Sequence, residues 1–213
     1  MTADDVFQTC IRLHARLVTH PITAWKNLSS TRNDMDLQLD EQPRHLPELC
    51  CGVSKSFIDL LLDHLPTDGS LVLSVGCGSG LLEAILLREA RAVGRCLNLS
   101  GVEVPTCQVQ YLPAESVQRV AGTRDLHSNA MLATTLLFVY PRVPELIATY
   151  LGDCLDGALE QLVWVGPCSD WADSERILTR TFTDVKIFTG QAAGLPTYEL
   201  MVIASVSVAL DVN

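Results

Sequence analysis

A chain of 213 residues has room for one substantial core with some decoration, and not for a second full domain. With 48% apolar and 19% charged residues its composition is globular, which excludes an intrinsically disordered chain. The 15 Lys and Arg against 25 Asp and Glu leave a net charge of −10, a field that repels a phosphate backbone, so nucleic acid is not an expected partner.

Val6, Phe7, Cys10, Ile11, His14 and Leu17 recur at helical spacing and predict a helix over 3–19, ended near Pro21. From Leu28 to Pro47 the chain turns polar, with Asn33, Asp34, Asp36, Asp40 and Glu41, which predicts a surface loop or flap. A second helix follows, capped by Ser54 or Ser56, with Phe57, Leu60, Leu61 and Leu65 along one stripe before Pro66. Residues 1–53 are therefore expected to form a helical and loop cap, and residues 54–213 the core.

After the Asp68-Gly69 turn, strands alternate with helices. Leu71–Val75 is a nearly continuous apolar run, the pattern of a strand buried on both faces of a parallel sheet. Over 80–91, Leu81, Leu82, Ile85, Leu86 and Ala90 share one helical side, with Glu83, Arg88 and Glu89 expected opposite them. Strands are predicted over 97–104, 117–121, 134–140 and 159–165, with helices near 144–151 and over 173–181. Two further strands, 182–189 and 198–206, are separated by a link too short for a crossover helix, so they must run antiparallel.

The eight cysteines lack C-x-x-C spacing, so no metal site is expected. Asp4 and Asp5 stand where a signal peptide would be basic and then apolar, which points to a reduced, cytoplasmic protein. The longest apolar runs, 131–140 and 200–210, fall short of the ~20 residues needed to cross a bilayer, so no membrane partner is expected.

The chemistry is concentrated between Leu71 and Val104. Gly76-Cys77-Gly78-Ser79-Gly80 places a glycine at every second position between a strand and a helix. Glycines permit the tight turn and a close approach of backbone to ligand, and free N–H groups at the helix start attract anions. The next strand closes on Glu103, where a carboxylate can accept hydrogen bonds from both hydroxyls of a ribose.

Together, the glycine turn, the acid after the second strand and the terminal hairpin resemble class I S-adenosylmethionine-dependent methyltransferases, over about residues 54–207. The resemblance implies a Rossmann-like α/β three-layer sandwich whose seven-stranded, mostly parallel sheet has an antiparallel last strand. It also implies S-adenosylmethionine as cofactor. Gly76, Cys77, Gly78 and Gly80 would then pack under its methionine part, and Glu103, with Val104 beside it, would hold the ribose. Thr123, Asp125 and Leu126 would contact adenine, and Tyr140 would face the methyl group. Two departures stand out. The family often carries an acid where Ser74 stands, so the indirect hold on the cofactor's amino group is weaker here or comes from elsewhere. Tyr140-Pro141-Arg142 replaces the Asn- or Asp-Pro-Pro-aromatic motif of the amino-directed nucleic-acid enzymes.

Methyl transfer is an in-line displacement, so the protein mainly aligns a nucleophile and excludes water. His127 is a candidate general base, Tyr140 a candidate for orienting the acceptor, and Arg142 a candidate for binding an acidic group, although a salt bridge to Glu145 is the commoner fate of such an arginine. The leading expectation is a methyltransferase acting on a small molecule, with the oligomeric state open, a homo-oligomer included. The alternative is a methyltransferase-like domain that binds cofactor, ligand or a protein partner without catalysis. A nicotinamide-dependent oxidoreductase is disfavoured by the glycine spacing and by the terminal hairpin.

Overall fold

The computed structural model describes residues 37–206, and those from Gln38 onward form one unit. The helix expected over 3–19 lies outside the described residues, as does the first part of the polar stretch. Within the rest of that stretch and just beyond it, Arg44–His45 (β1) pair antiparallel with Gly52–Val53 (β2). Two-residue strands are too short to show alternation, which is why the sequence reads as loop there.

Helix α1, Lys55–His64, starts where its cap dictates: Ser54 Oγ accepts the Phe57 N–H at 3.1 Å. The same hydroxyl donates to the Gly194 carbonyl at 2.6 Å, tying the helix start to the far end of the chain. Phe57, Ile58, Leu61 and Leu62 are buried, while Leu60 of the expected stripe is only half-buried.

Seven strands form the main sheet: Leu71–Val75 (β3), Asn98–Glu103 (β4), Val117–Arg119 (β5), Ala133–Val139 (β6), Gln161–Pro167 (β7), Asp184–Thr189 (β8) and Glu199–Ser205 (β9). The connecting helices are Leu81–Ala92 (α2), Pro144–Cys154 (α3), Cys168–Thr181 (α4) and the single turn Gly190–Ala193 (α5). The strand order is β5-β4-β3-β6-β7-β9-β8, parallel except for β9, which is antiparallel to both β7 and β8. The short link at 190–197 has the consequence expected of it, with α5 capped by Thr189 at one end and by Gly194 at φ 71° at the other.

Side chains alternate across β3. Leu73 and Val75 join Phe138, Trp164, Tyr150 and Trp171 in the core that α3 and α4 cover, each such buried side chain contributing about 1.5–3 kcal/mol. Ser74 faces the other way, toward α2. Because β4 leaves β3 on one side and β6 on the other, the sheet order reverses at β3, and a crevice opens at the carboxyl ends of these strands.

Candidate functional site

Strand β3 runs directly into the glycine turn. Gly76, Gly78 and Gly80 have φ of 77°, 56° and 80°, left-handed values that a side chain strains to reach. The Gly76 and Cys77 N–H groups bind the Val102 carbonyl at 2.9 and 3.2 Å, and Gly80 is the N-cap of α2. A Cβ at Gly76 or Gly78 would meet nothing within 4 Å, so the space over the turn is open. Gly101 matters as much. A Cβ there would come within 2.6 Å of Cys77 Sγ, so only glycine in β4 lets the turn lie against its neighbour.

Glu103 closes β4 on the opposite bank. Its Oε2 accepts the Gly78 N–H at 2.8 Å and its Oε1 accepts the Val104 N–H at 2.9 Å. A carboxylate offers about four acceptor sites, so lone pairs remain on both oxygens for a ligand's hydroxyls. Arg119 braces this corner by donating to the carbonyls of Val104 and Cys107 at 2.8 and 3.1 Å.

Turn and acid meet at a cavity of about 350 Å³, within the range of small-molecule pockets. Of the residues singled out in the sequence, Gly76, Gly78, Glu103, Val104, Thr123, Asp125, Tyr140 and Arg142 line it. Cys77, Gly80, Leu126 and His127 are not among the lining residues. Gly80 is packed against Val109 and Leu112, and Leu126 against the core. His127 Nδ1 accepts the Asn129 N–H at 3.2 Å, capping the short 3-10 turn Ser128–Leu132. Arg142 is exposed at the cavity rim, and among the described residues it has no ion pair with Glu145.

Three features were not legible in the sequence. The first is Glu199, fully buried at the start of β9, which accepts the Tyr140 hydroxyl and, through both oxygens, the Gly52 N–H at 3.1 and 3.2 Å. Tyr140 adopts φ 53°, and burial together with that carboxylate pushes its phenol up. The only sequence signal was a lone acid opening an apolar strand. The second is Cys50, which reaches the cavity wall from the β1–β2 segment, a segment also held by Ser79 Oγ donating to the Glu48 carbonyl at 3.1 Å.

The third corrects an expectation. Glu83, read as part of the polar face of α2, is 2% exposed. Its Oε1 accepts the Ser74 hydroxyl at 2.6 Å and its Oε2 has no partner. Burial pushes this carboxyl up to about 7. It also raises the Cys77 thiol, which burial has already pushed up.

No family model matches the chain, and no curated protein matches it in sequence. Solved structures do. The precorrin 8w decarboxylase of Methanobacterium thermoautotrophicum superimposes with a TM-score of 0.52 at 13% identity, covering 80% of this chain and 100% of that one. The architecture is the Rossmann-like arrangement that the sequence resemblance implied, a seven-stranded, mostly parallel sheet with one antiparallel strand. A SAM-dependent methyltransferase from Aquifex aeolicus matches at 18% identity and TM-score 0.49, over 70% of this chain and 89% of that one. The S-adenosylmethionine-dependent methyltransferase SibL matches at 21% identity and TM-score 0.48, over 70% of this chain, which spans only 54% of SibL. Among the described residues, no helix is long and apolar enough to cross a membrane.

Proposed function

We propose that this chain binds S-adenosylmethionine in the cavity between the glycine turn and Glu103 and transfers its methyl group to a small-molecule acceptor. The observation that carries this reading is the contact between Gly78 N–H and the Glu103 carboxylate at 2.8 Å, with both residues lining one cavity. The residues present fit such a cofactor. The volume over Gly76 and Gly78 is open, and Glu103 keeps acceptor capacity toward it. Glu103 would hold the ribose, Thr123 and Asp125 the adenine edge, and the turn the methionine end.

When bound, the cofactor supplies an electrophilic methyl group on a sulfonium. What the chain adds is alignment and exclusion of water. Phe138, Leu146 and Tyr150 give the cavity an apolar side, and the β1–β2 segment brings Cys50 to its wall. Tyr140 stands at the methyl end with its hydroxyl already donated to Glu199, so it offers an acceptor a lone pair and not a proton. Net charge −10 and the absence of any Lys/Arg run support a small acceptor over a nucleic acid.

One observation favours a second reading, a domain that binds the cofactor without transferring methyl groups. The candidate general base and the hydroxyl expected to orient an acceptor are both engaged, His127 in a cap and Tyr140 with Glu199. Calorimetric titration with S-adenosylhomocysteine tests the cofactor reading; binding of NAD and none of S-adenosylhomocysteine would sink it. Incubation with methyl-labelled cofactor and a metabolite extract separates the two readings. Label in a small-molecule product establishes transfer, and binding without any product establishes the silent domain.

A further inference from the structure

Glu199 is 0% exposed, and a carboxylate so deeply buried has to be paired and hydrogen-bonded. Its partners come from two sides. From the cavity wall the Tyr140 hydroxyl donates to Oε1, and from the surface His45, its side chain 45% exposed, brings Nε2 to 3.9 Å from the same oxygen. The Gly52 N–H fixes both oxygens at 3.1 and 3.2 Å, and the Tyr198 hydroxyl bonds His45 Nε2. The Cys51 thiol is the other titratable group within reach of the Glu199 charge. A row of polar groups therefore leads from the cavity through a dry carboxylate to solvent. Tyr140 is also the one residue other than glycine, among those described, with a positive φ, 53°. Backbone held there is costly and persists where the surroundings over-determine it. An apolar pair would close the same corner at less cost, so packing alone does not explain the arrangement.

We propose that Tyr140, Glu199 and His45 form a proton relay, and that the relay suits the site to an acceptor with a neutral hydroxyl group. This rests on the methyl-transfer reading above and adds to it the acceptor class. A hydroxyl oxygen is a poor nucleophile while it keeps its proton, whereas a neutral amine attacks with its own lone pair, so a built path for a proton points to the hydroxyl. The bond that keeps Tyr140 from donating to an acceptor is what lets its oxygen receive. Burial and the Glu199 carboxylate push the Tyr140 phenol up, so it passes its own proton on only as it takes another. In the step, the acceptor O–H bond breaks and its proton moves to the Tyr140 oxygen, while the Tyr140 proton moves to Glu199 Oε1. The electron pair left on the acceptor oxygen forms the bond to the methyl carbon, and the pair of the broken carbon–sulfur bond stays on sulfur. Glu199 then returns its proton to solvent by way of His45. Tyr140 is the catalytic residue, because it meets the acceptor; Glu199 and His45 act through it. An acceptor carboxylate would face a lone pair with a buried negative charge behind it, and would be repelled.

The test is incubation of the full chain with S-adenosylmethionine isotope-labelled at the methyl group and a metabolite extract, followed by NMR of the labelled product. A methyl ether is expected. With that product as the assay, Tyr140→Phe is expected to lower turnover by about a hundredfold or more, the scale of general acid–base catalysis. His45→Ala is expected to lower it less, and added imidazoles are expected to restore it in the order of their basicity, a response that loss of a structural contact does not produce. Titration with S-adenosylhomocysteine reports that each variant is folded. Label on nitrogen, carbon, sulfur or a carboxylate oxygen overturns the proposal while methyl transfer stands. An ether with turnover intact in Tyr140→Phe, or with His45→Ala indifferent to imidazoles, also overturns it. If the wild-type chain binds S-adenosylhomocysteine and forms no product, the transfer reading falls and takes the proposal with it.

Discussion

Tyr140 donates its hydroxyl to Glu199, a fully buried carboxylate 59 positions further along the chain. The pair joins the end of β6 to the start of β9, and the Gly52 N–H brings the β1–β2 segment onto the same carboxylate. His45 stands behind it, bonded to the Tyr198 hydroxyl and 3.9 Å from Glu199 Oε1. One side chain therefore holds three pieces of chain together beside Tyr140, which lines the cavity. Replacing it by alanine strands the buried Gly52 N–H and the half-buried Tyr140 hydroxyl, so Glu199→Ala is expected to lower stability by about 3 kcal/mol. Tyr140→Phe, which removes one donor to a charged acceptor, is expected to cost about 1–3 kcal/mol. Urea unfolding of the two variants measures both, and a loss in Glu199→Ala no larger than in Tyr140→Phe would show that the Gly52 contact carries nothing.

Glu83 gives the protein a pH dependence of defined sign. Burial pushes its carboxyl up to about 7 in the fold from an ordinary 4.5, so the folded state binds the proton more tightly than the unfolded chain. Stability attributable to this group is present below about pH 4.5 and falls as pH rises through about 7, by about 3 kcal/mol in all. Thermal melts across that range are expected to show the decline in the wild type and a flatter profile in E83Q. Parallel profiles would place the titration elsewhere.

Gly101 is the point at which the turn and β4 nearly touch. Alanine there forces its Cβ against Cys77 Sγ at 2.6 Å and Leu112 at 3.0 Å. Overpacking of this kind costs about 1–3 kcal/mol, and because Cys77 must give way, binding of S-adenosylhomocysteine is expected to weaken in the same variant. Calorimetry and chemical denaturation on one preparation report both, and destabilisation with affinity intact would show that the turn can shift without consequence.

Thiol labelling reads the cavity without mutation. Cys50, Cys96 and Cys168 are exposed, but of these only Cys50 lines the cavity. Cys51 and Cys77, whose thiols burial holds well above the ordinary range, are expected to react slowly. Saturating S-adenosylhomocysteine is expected to slow labelling of Cys50 several-fold while leaving Cys96 and Cys168 unchanged, as followed by mass spectrometry. Uniform rates would place the ligand away from the β1–β2 segment.

Glu103→Ala tests the ribose contact. Loss of hydrogen bonds to a charged group is expected to weaken S-adenosylhomocysteine by about 1–3 kcal/mol in calorimetric titration. Because Gly78 N–H also loses its partner, the turn itself is expected to loosen. Unchanged affinity removes Glu103 from the site.

The sheet was written into the sequence because its signals are local. Leu71–Val75 announces a strand buried on both faces, the glycines announce the turn, and the short link after Thr189 forces β9 to run against its neighbours; each is a property of a few consecutive residues. Those same signals led to Glu103 as the acid beside the glycine turn, while its hydrogen bond from Gly78 N–H came from the structure. What only the tertiary structure decided are relationships between residues far apart, and the direction in which a charged side chain faces. Helical periodicity placed Glu83 with Arg88 and Glu89, yet Ser74 on the adjoining strand draws it inside, because a hydroxyl within reach can partly offset the burial of a carboxylate. Glu199 carries only the weak signal of a lone acid opening an apolar strand. Its meaning comes from Gly52 and Tyr140, which approach it only once the sheet has brought the carboxyl end of β6 alongside the first residue of β9.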